Sequence, residues 1–434
     1  MHSQLPDLTR RAEQAPLPKR VAIVHDWCPD FRGGERVLAE LCRIFPGAEV
    51  FTLFDFLPEE IKKEHFPGVT FHTSVANKLP KVERYYRALF PICPLLIEQF
   101  DLTGYDAVVS SSAAFSRGVL TRPDQPHLCY VHSPIRYAWD EQFSYLEQGR
   151  LGYGPKGLAF RYFAHKLRTW DVRTASGPDI MLANSNYIRS RIKRVYGRGA
   201  QVVFPPVPLD ELPFVAEKDD YYVTASFLAP YKRTDLVIRA FAATPHRKLI
   251  VVGGGQQARA LRDIAGPNVE FTGFLPRSEY LKVVSNARAL VFAGCEDFGI
   301  ALVEAQGCGT PLIAFSRGGA RDIVRPLGQS TAPTGVLFDR QSVESLSEAI
   351  ERFETHGDLL QGTACRENAA RFSPQRFRQQ VLQAFATAVN MHDHHALAEE
   401  PFESRSTAFH ANTDATAGAA QILRSNPATV AARS

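Results

Sequence analysis

The densest grouping of residues able to do chemistry is the run CEDFGIALVEAQGCGTPLIAF (295–315). The apolar segment before it, ARALVFA (287–293), reads as a strand that stops just short of Glu296, and a short helix begins near Gly299. Glu296, Asp297 and the Phe298 and Gly299 amides then stand at the carboxyl end of a strand, the edge where open α/β sheets bind ligands. Amides at a helix start point outward and suit an anion or a sugar hydroxyl. Glu304 lies eight residues beyond Glu296, inside an otherwise apolar helix. A carboxylate there is costly unless something hydrogen-bonds it, and ribose hydroxyls would serve. Spacing alone leaves a second reading open, in which Glu296 is an acid favoured in a first helical turn and Glu304 is the partner of a core arginine.

Gly33-Gly34 follows the first strand and opens a helix, so the backbone there can approach a phosphate closely. A tight turn needs the same residues, and the G-x-G-x-x-G pattern of a nicotinamide dinucleotide site is missing. Gly253, Gly254 and Gly255 also end a strand and carry the same two readings. His132, in YVHSPIRYAWD, ends an apolar strand as either a cleft residue or a satisfied core histidine. Arg136 nearby could bind a phosphate or pair with Asp140. His25 and Asp26 are strand-end residues of the same kind, and Lys232, in APYKR, is by itself a helix-start lysine.

The elements that must position these groups alternate in a regular way. In the first half the apolar runs RVAIVHDW (20–27), EVFTLF (49–54), DAVVS (106–110), HLCYVHS (127–133), DIMLANS (179–185) and QVVF (201–204) are separated by helix-period segments. Continuous apolar strands imply parallel strands buried on both faces. PPVPLDELPF (205–214) reads as a linker. The pattern restarts at YYVTASF (221–227), KLIVVGGG (248–255), NVEFTGF (268–274), ARALVFA and TPLIAF (310–315). The fold class is α/β, with two Rossmann-like doubly wound domains, 20–207 and 208–372, facing across a cleft. A disordered lead (1–19) precedes them. A closing helix (373–390) starts with Ser373 as N-cap and Pro374 in its first turn, and a disordered tail (391–434) contains the HDHH cluster (392–395) as incidental histidines.

A chain of 434 residues is long enough for two such domains, and 45% hydrophobic with 22% charged residues is globular composition. The seven cysteines are odd in number, scattered and without a C-x-x-C pair, so neither a disulfide framework nor a structural zinc site is suggested. No apolar run approaches the roughly 20 residues of a spanning helix, and the first 20 residues lack the apolar core of a secretory signal. These features predict a cytoplasmic protein, at most peripheral on a membrane. Through Pro208 the chain has 27 Lys and Arg against 21 Asp and Glu, and thereafter 23 against 25, so the first half is the one suited to an anionic partner.

The spacing of Glu296 and Glu304 within EDFGIALVEAQGCGTPLIA resembles the signature of glycosyltransferase family 4, retaining enzymes of the two-domain GT-B fold. The resemblance covers about residues 20–390. VHDWCPDFRGGERVL, CYVHSPIRYAWD and APYKRTDLVIRAF are similar to segments of bacterial O-antigen and exopolysaccharide mannosyltransferases of that family. It implies that Glu304 binds the nucleotide ribose and that Glu296 holds hydroxyls of the transferred sugar beside Asp297 and the amides of Phe298, Gly299 and Ile300. It also implies that Lys232 neutralises the donor diphosphate, that Gly33 and Gly34 lie against it, and that His132 contacts the sugar near the reacting carbon. Gly273 and Phe274, in FTGFLP, would belong to the loop that reads the nucleobase, with Asp26 and Arg136 on the acceptor side. One position departs from the pattern: Phe227 stands where members often carry an arginine, five residues before Lys232, and Arg233 is the nearest substitute.

The implied activity is transfer of mannose from GDP-mannose to a lipid-linked saccharide in cell-surface polysaccharide biosynthesis. Two other readings remain beside it, a non-catalytic nucleotide-sugar-binding subunit and a sugar-nucleotide epimerase. No Asp-x-Asp triplet of the metal-dependent glycosyltransferases is present, so no metal and no cofactor are expected. Two basic, aromatic-rich stretches, KLPKVERYYRALFPICPLL (78–96) and RLGYGPKGLAFRYFAHKLRTWDVR (150–173), could lie on anionic headgroups at the inner face of the membrane or bury their apolar faces in the core. Nucleic acid is not expected as a partner, because no recognised binding motif accompanies the charge.

Overall fold

The computed structural model describes residues 18–149 and 151–398. Most of the predicted lead and nearly all of the predicted tail lie outside them. Thirteen strands are present among the described residues: β1 (Val21–His25), β2 (Glu49–Thr52), β3 (Phe71–Thr73), β4 (Ala107–Ser112), β5 (His127–Val131), β6 (Ile180–Ala183), β7 (Gln201–Val202), β8 (Asp219–Ala225), β9 (Leu249–Val252), β10 (Val269–Gly273), β11 (Ala287–Phe292), β12 (Leu312–Phe315) and β13 (Gly335–Phe338). They form two sheets, in the orders β3-β2-β1-β4-β5-β6-β7 and β10-β9-β8-β11-β12-β13. Every pairing is parallel, for example Ile23 opposite Val50 and Val109, and Leu290 opposite Val223 and Leu312.

Parallel pairing follows from the continuous apolar runs. β1, β4 and β5 are buried along their whole length, so both of their faces must be covered, and helical crossovers cover them. β3 and β13 were not foreseen from the sequence. Both are short edge strands, three and four residues long, and β3 is only half-buried, which leaves little apolar signal.

In both sheets the chain order reverses once, between β1 and β4 in the first and between β8 and β11 in the second. Crevices open outside the carboxyl ends of strands at such points. The helices include α1 (Gly33–Ile44), α2 (Pro155–Thr174), α3 (Asn186–Tyr196), α4 (Thr234–Ala242), α5 (Arg277–Asn286), α6 (Ile300–Gly307) and α7 (Pro374–Ala398).

The stretch read as a linker is tied down. Its single 3₁₀ turn, Leu209–Glu211, is held by Arg366, whose guanidinium donates to the carbonyls of Leu209 (3.0 Å), Leu212 (2.9 Å) and Gly307 (2.6 Å). α7 then returns to the first half: Phe377, Val381, Ala384 and Phe385 join the cluster formed by Val37, Leu41, Phe45 and Val50. The Phe385 and Phe45 rings meet edge to face at 4.7 Å, and Arg378 pairs with the buried Glu40. α7 runs eight residues past the end predicted at 390, so the boundary placed there is corrected to at least Ala398. Of the HDHH cluster, His392 pairs with Asp179 at 3.0 Å, and the other side chains lie outside the described residues. No described helix is long and apolar enough to cross a membrane.

If α7 is an integral part of the first half, Phe385→Ala should lower unfolding stability by about 3–5 kcal/mol, read as a shift of the urea midpoint. A loss below about 1 kcal/mol would mean that α7 is only loosely docked.

Candidate active site

The second sheet supplies a strand end, a loop and a helix start. β11 leads into Cys295–Gly299, and α6 begins at Ile300. Gly299 has φ +98°, a left-handed conformation that side chains rarely adopt, and this turns the loop sharply enough to aim the first α6 amides at the cleft. The loop rests on Gly318 and Gly319. A Cβ on Gly319 would stand 2.0 Å from the Phe298 carbonyl, and Gly319 N–H donates to the Glu296 carbonyl at 2.9 Å. Lys232 closes a 3₁₀ turn before α4, and its ammonium contacts the Glu296 carboxylate.

The first sheet supplies the opposite wall. The start of α1 is fixed by the Glu35 carboxylate, which accepts the Arg32 N–H at 3.0 Å. A Cβ on Gly33 would come within 2.9 Å of the Ile300 Cδ1, so the two helix starts nearly touch across the cleft. His132, at the end of β5, shares a 2.8 Å hydrogen bond through Nε2 with Ser111 Oγ, and His25 Nδ1 lies 3.1 Å from the same hydroxyl. Burial and the neighbouring His25 ring hold His132 down at about 3, far below the ordinary histidine range, so it stays neutral near pH 7.

Gly33, His132, Arg136, Lys232, Glu296, Asp297, Phe298, Gly299 and Ile300 line one cavity of about 340 Å³ between the sheets. Burial, and then the nearby Arg136 charge, draws the Lys232 ammonium down to about 8, against the opposing pull of the Asp297 and Glu141 carboxylates. The second cation beside Lys232 is Arg136, from the other half of the chain. Arg233 is turned away onto Asp235 at 3.2 Å, and Phe227 is exposed.

Other predicted residues are placed differently. Asp26 is 2% exposed, and its carboxylate accepts the backbone N–H groups of Ala113, Ala114, Phe115 and Ser116 at 2.6–2.8 Å. Four such bonds saturate both oxygens, so Asp26 ties β1 to the turn after β4 and leaves nothing to offer an acceptor. Arg136 pairs with Asp297, its Nε donating to Oδ2 at 2.9 Å; Asp140 is taken by Arg191 instead. Asp297 thereby faces two guanidiniums where a donor ligand had been predicted. Gly34 lies against the His25 ring. Phe274 is 72% exposed and packs over Gly254, and neither it nor Gly273 lines the cavity.

Glu304 is also outside the cavity lining. It is 4% exposed, Oε1 accepts from Arg36 (3.0 Å) and Arg277 (2.7 Å), and Tyr280 donates to Oε2 at 3.2 Å. The core-arginine reading of Glu304 is thus realised in this conformation, with one of its two arginines coming from α1 of the opposite half. Arg36 follows Gly34 by two residues, the one signal that could have drawn attention to it. Arg191 and Arg277 carry none, because nothing in their local sequence distinguishes them from surface arginines. Among the described residues no cluster of three or more His, Cys, Asp or Glu side chains is placed to hold a metal ion.

Because His132 is held neutral, the pH dependence of any activity between about pH 5.5 and 7.5 should be the same in the wild type and in His132→Asn. A limb near 6.5 present only in the wild type would show that the ring titrates in that range.

The fold and this geometry agree with what the chain resembles. Residues 31–211 match the family model described as Glycosyltransferase Family 4, and residues 212–372 match that of Glycosyl transferases group 1. A D-inositol 3-phosphate glycosyltransferase from Mycobacterium sp. (strain KMS) is 30% identical over 190 residues, 41% of this chain and 42% of the relative, so the match spans less than half the relative's length. One of the same name from Mycobacteroides abscessus is 25% identical over 88% of this chain and 92% of its own. A GDP-mannose-dependent alpha-(1-6)-phosphatidylinositol monomannoside mannosyltransferase from Mycolicibacterium smegmatis is 28% identical over 44% of this chain and 56% of its own. Among solved structures, Anabaena HepE in complex with UDP and glucose superposes with a TM-score of 0.60 at 17% identity, over 83% of this chain and 97% of that one. With one family model on each side of the cavity, contiguous from residue 31 to 372, the chain belongs to the family 4 glycosyltransferases of GT-B fold.

Proposed function

We propose that the protein is a retaining glycosyltransferase that moves mannose from GDP-mannose to a lipid-linked saccharide at the inner face of a membrane. The observation that carries this reading is the Lys232–Glu296 pair, set between two helix starts that nearly touch across the cleft. The donor diphosphate would take the place of the Glu296 carboxylate on Lys232, and Glu296 would turn to the sugar hydroxyls. The α6 amides beside Gly299 and the close backbone at Gly33 suit the phosphate oxygens. The bond between the anomeric carbon and the diphosphate oxygen breaks while the acceptor oxygen bonds to that carbon on the same face. The acceptor's proton passes to the departing phosphate oxygen. Lys232 and the backbone N–H groups stabilise the charge that develops there, without a metal ion in this scheme. His132, held neutral, orients the sugar and is no proton donor. Mannose and GDP are supported by the mannosyltransferase relatives, and a nucleotide-sugar donor in general by the structural neighbour that binds UDP.

In this reading Glu304 takes the ribose hydroxyls, which requires Arg36 to leave its Oε1. Purified protein supplied with GDP-mannose should transfer or slowly hydrolyse it, and GDP-sugars should raise the melting temperature more than UDP-sugars. Glu304→Ala should weaken GDP binding by about tenfold, and Glu296→Ala should lower turnover by about a hundredfold with GDP affinity little changed. Absence of turnover with every nucleotide sugar, or unchanged GDP affinity in Glu304→Ala, would overturn the respective assignments.

The acceptor side is supported by the surface of the first half. Phe90 packs on Phe160 and Phe163, joining the two basic stretches into one face. That face exposes Leu95 (61%), Tyr153 (82%), Leu158 (53%) and Tyr162 (57%) among Lys156, Arg161 and Lys166. Apolar tips among cations fit an anionic bilayer surface. The protein should sediment with phosphatidylglycerol-containing vesicles and not with phosphatidylcholine alone, and Leu158→Glu with Tyr162→Glu on α2 should weaken that binding at least about tenfold. Equal binding by the double variant would remove this face from the proposal.

A further inference from the structure

Asp297 follows the proposed sugar ligand directly, yet its own carboxylate faces away from any donor task. Arg136 holds one oxygen, with Nε at 2.9 Å, and Arg191 approaches the other at 3.6 Å. The Asp297 carbonyl accepts from Ser185 Oγ at 2.5 Å. All three partners belong to the first half of the chain. The groups are largely enclosed, with side-chain exposures of 13% for Asp297, 10% for Arg191 and 25% for Arg136. Arg191 is itself anchored, donating to Ser133 Oγ at 2.7 Å and pairing with Asp140. One α3 turn away, Asn186 holds Asp322 through two bonds of 2.8 and 2.6 Å, so the start of α3 is docked on the second half at two points.

From its own side the Glu296 loop is held by the backbone ledge of Gly318 and Gly319, by the buried Phe298 ring against Phe372, and by Lys232 on the Glu296 carboxylate. None of these contacts is made to Asp297, whose carboxylate and carbonyl are held by Arg136, Arg191 and Ser185. We propose that Asp297, Arg136 and Arg191 form a clamp across the cleft that seats the Glu296 loop only when the two halves are closed. They are positioning residues that act through Glu296, and this role rests on the glycosyl-transfer reading above. Lifting Asp297 off the arginines would release Glu296 from Lys232 and uncover Arg136 beside it. Turnover would then be tied to the Asp297 contacts, which nucleotide binding at Glu304 does not use.

The test compares the wild type with Asp297→Asn, Arg191→Gln, Arg191→Lys and the Asp297→Asn/Arg191→Gln double variant, measuring GDP affinity by calorimetry and turnover of GDP-mannose. Asp297→Asn should lower kcat at least about tenfold while GDP affinity stays within about threefold. Arg191→Gln should behave alike, the double variant should be no worse than the stronger single one, and Arg191→Lys should recover part of the loss. Wild-type kcat in Asp297→Asn, a fall in GDP affinity as large as the fall in kcat, or additive losses in the double variant would overturn the clamp. Should Asp297→Asn prove unfolded, Ser185→Ala, which removes one hydroxyl from the same contact, carries the same expectation. Small-angle scattering of the free protein gives a readout independent of activity: Asp297→Asn should have the larger radius of gyration, and an unchanged radius would overturn the clamp. If the wild type itself neither binds nor turns over any nucleotide sugar, the transfer reading fails while the scattering result still decides the clamp.

Discussion

The arrangement of the site depends on arginines of the first half reaching carboxylates of the second. Arg36 meets Glu304, and Arg136 and Arg191 meet Asp297. These carboxylates are nearly buried, and a buried charge without a partner costs several kcal/mol. Closure of the cleft therefore supplies both guanidiniums that face Asp297 and one of the two that face Glu304, whose partners from its own half are Arg277 and Tyr280. A polyanionic ligand would offer the same arginines and Lys232 an alternative set of oxygens.

This seam also gives meaning to the uneven charge of the two halves. The surplus of Lys and Arg before Pro208 divides into two uses. One part faces the cleft as Arg36, Arg136 and Arg191. Another lies on the outer face, where α2 and the 78–96 stretch mix cations with exposed aromatic and aliphatic tips. The Arg117–Asp171 pair, with both side chains fully buried, ties α2 to the turn after β4, the same turn whose amides are gathered by Asp26. The proposed acceptor face and the strand ends that form the cleft wall are thereby parts of one rigid construction.

His132 illustrates how position changes the chemistry of a residue type. A histidine at a strand end suggests acid or base work, yet burial and a second histidine remove its proton at neutral pH. What remains is a neutral hydrogen-bonding group locked to Ser111, suited to orienting a hydroxyl. The acidic partners of the site, Glu296 and Glu304, are likewise held by cations in the free protein.

Local sequence was enough to determine the two α/β halves and the strand ends that carry Glu296, His132 and Gly33, because continuous apolar runs and helix starts are properties of neighbouring residues. Resemblance of the EDFG, APYKR, CYVHSP and FRGGE segments to one family then grouped those residues with Lys232 in a single site and connected them to one reaction. The edge strands β3 and β13 escaped, being only three and four residues long, and α7 continued past its expected end. The partners of the charged groups were decided only by the tertiary structure. Arg136 could have met Asp140, Asp26 could have faced the cleft, and Asp297 could have faced the donor. Which of these occurs depends on contacts 51 to 268 residues apart in the chain, such as Arg191 with Asp140 and Arg36 with Glu304. Spacing along the chain carries no information about such pairs, since they form only when folding brings distant strand ends together, within the first half for Arg191 with Asp140 and between the two sheets for Arg36 with Glu304.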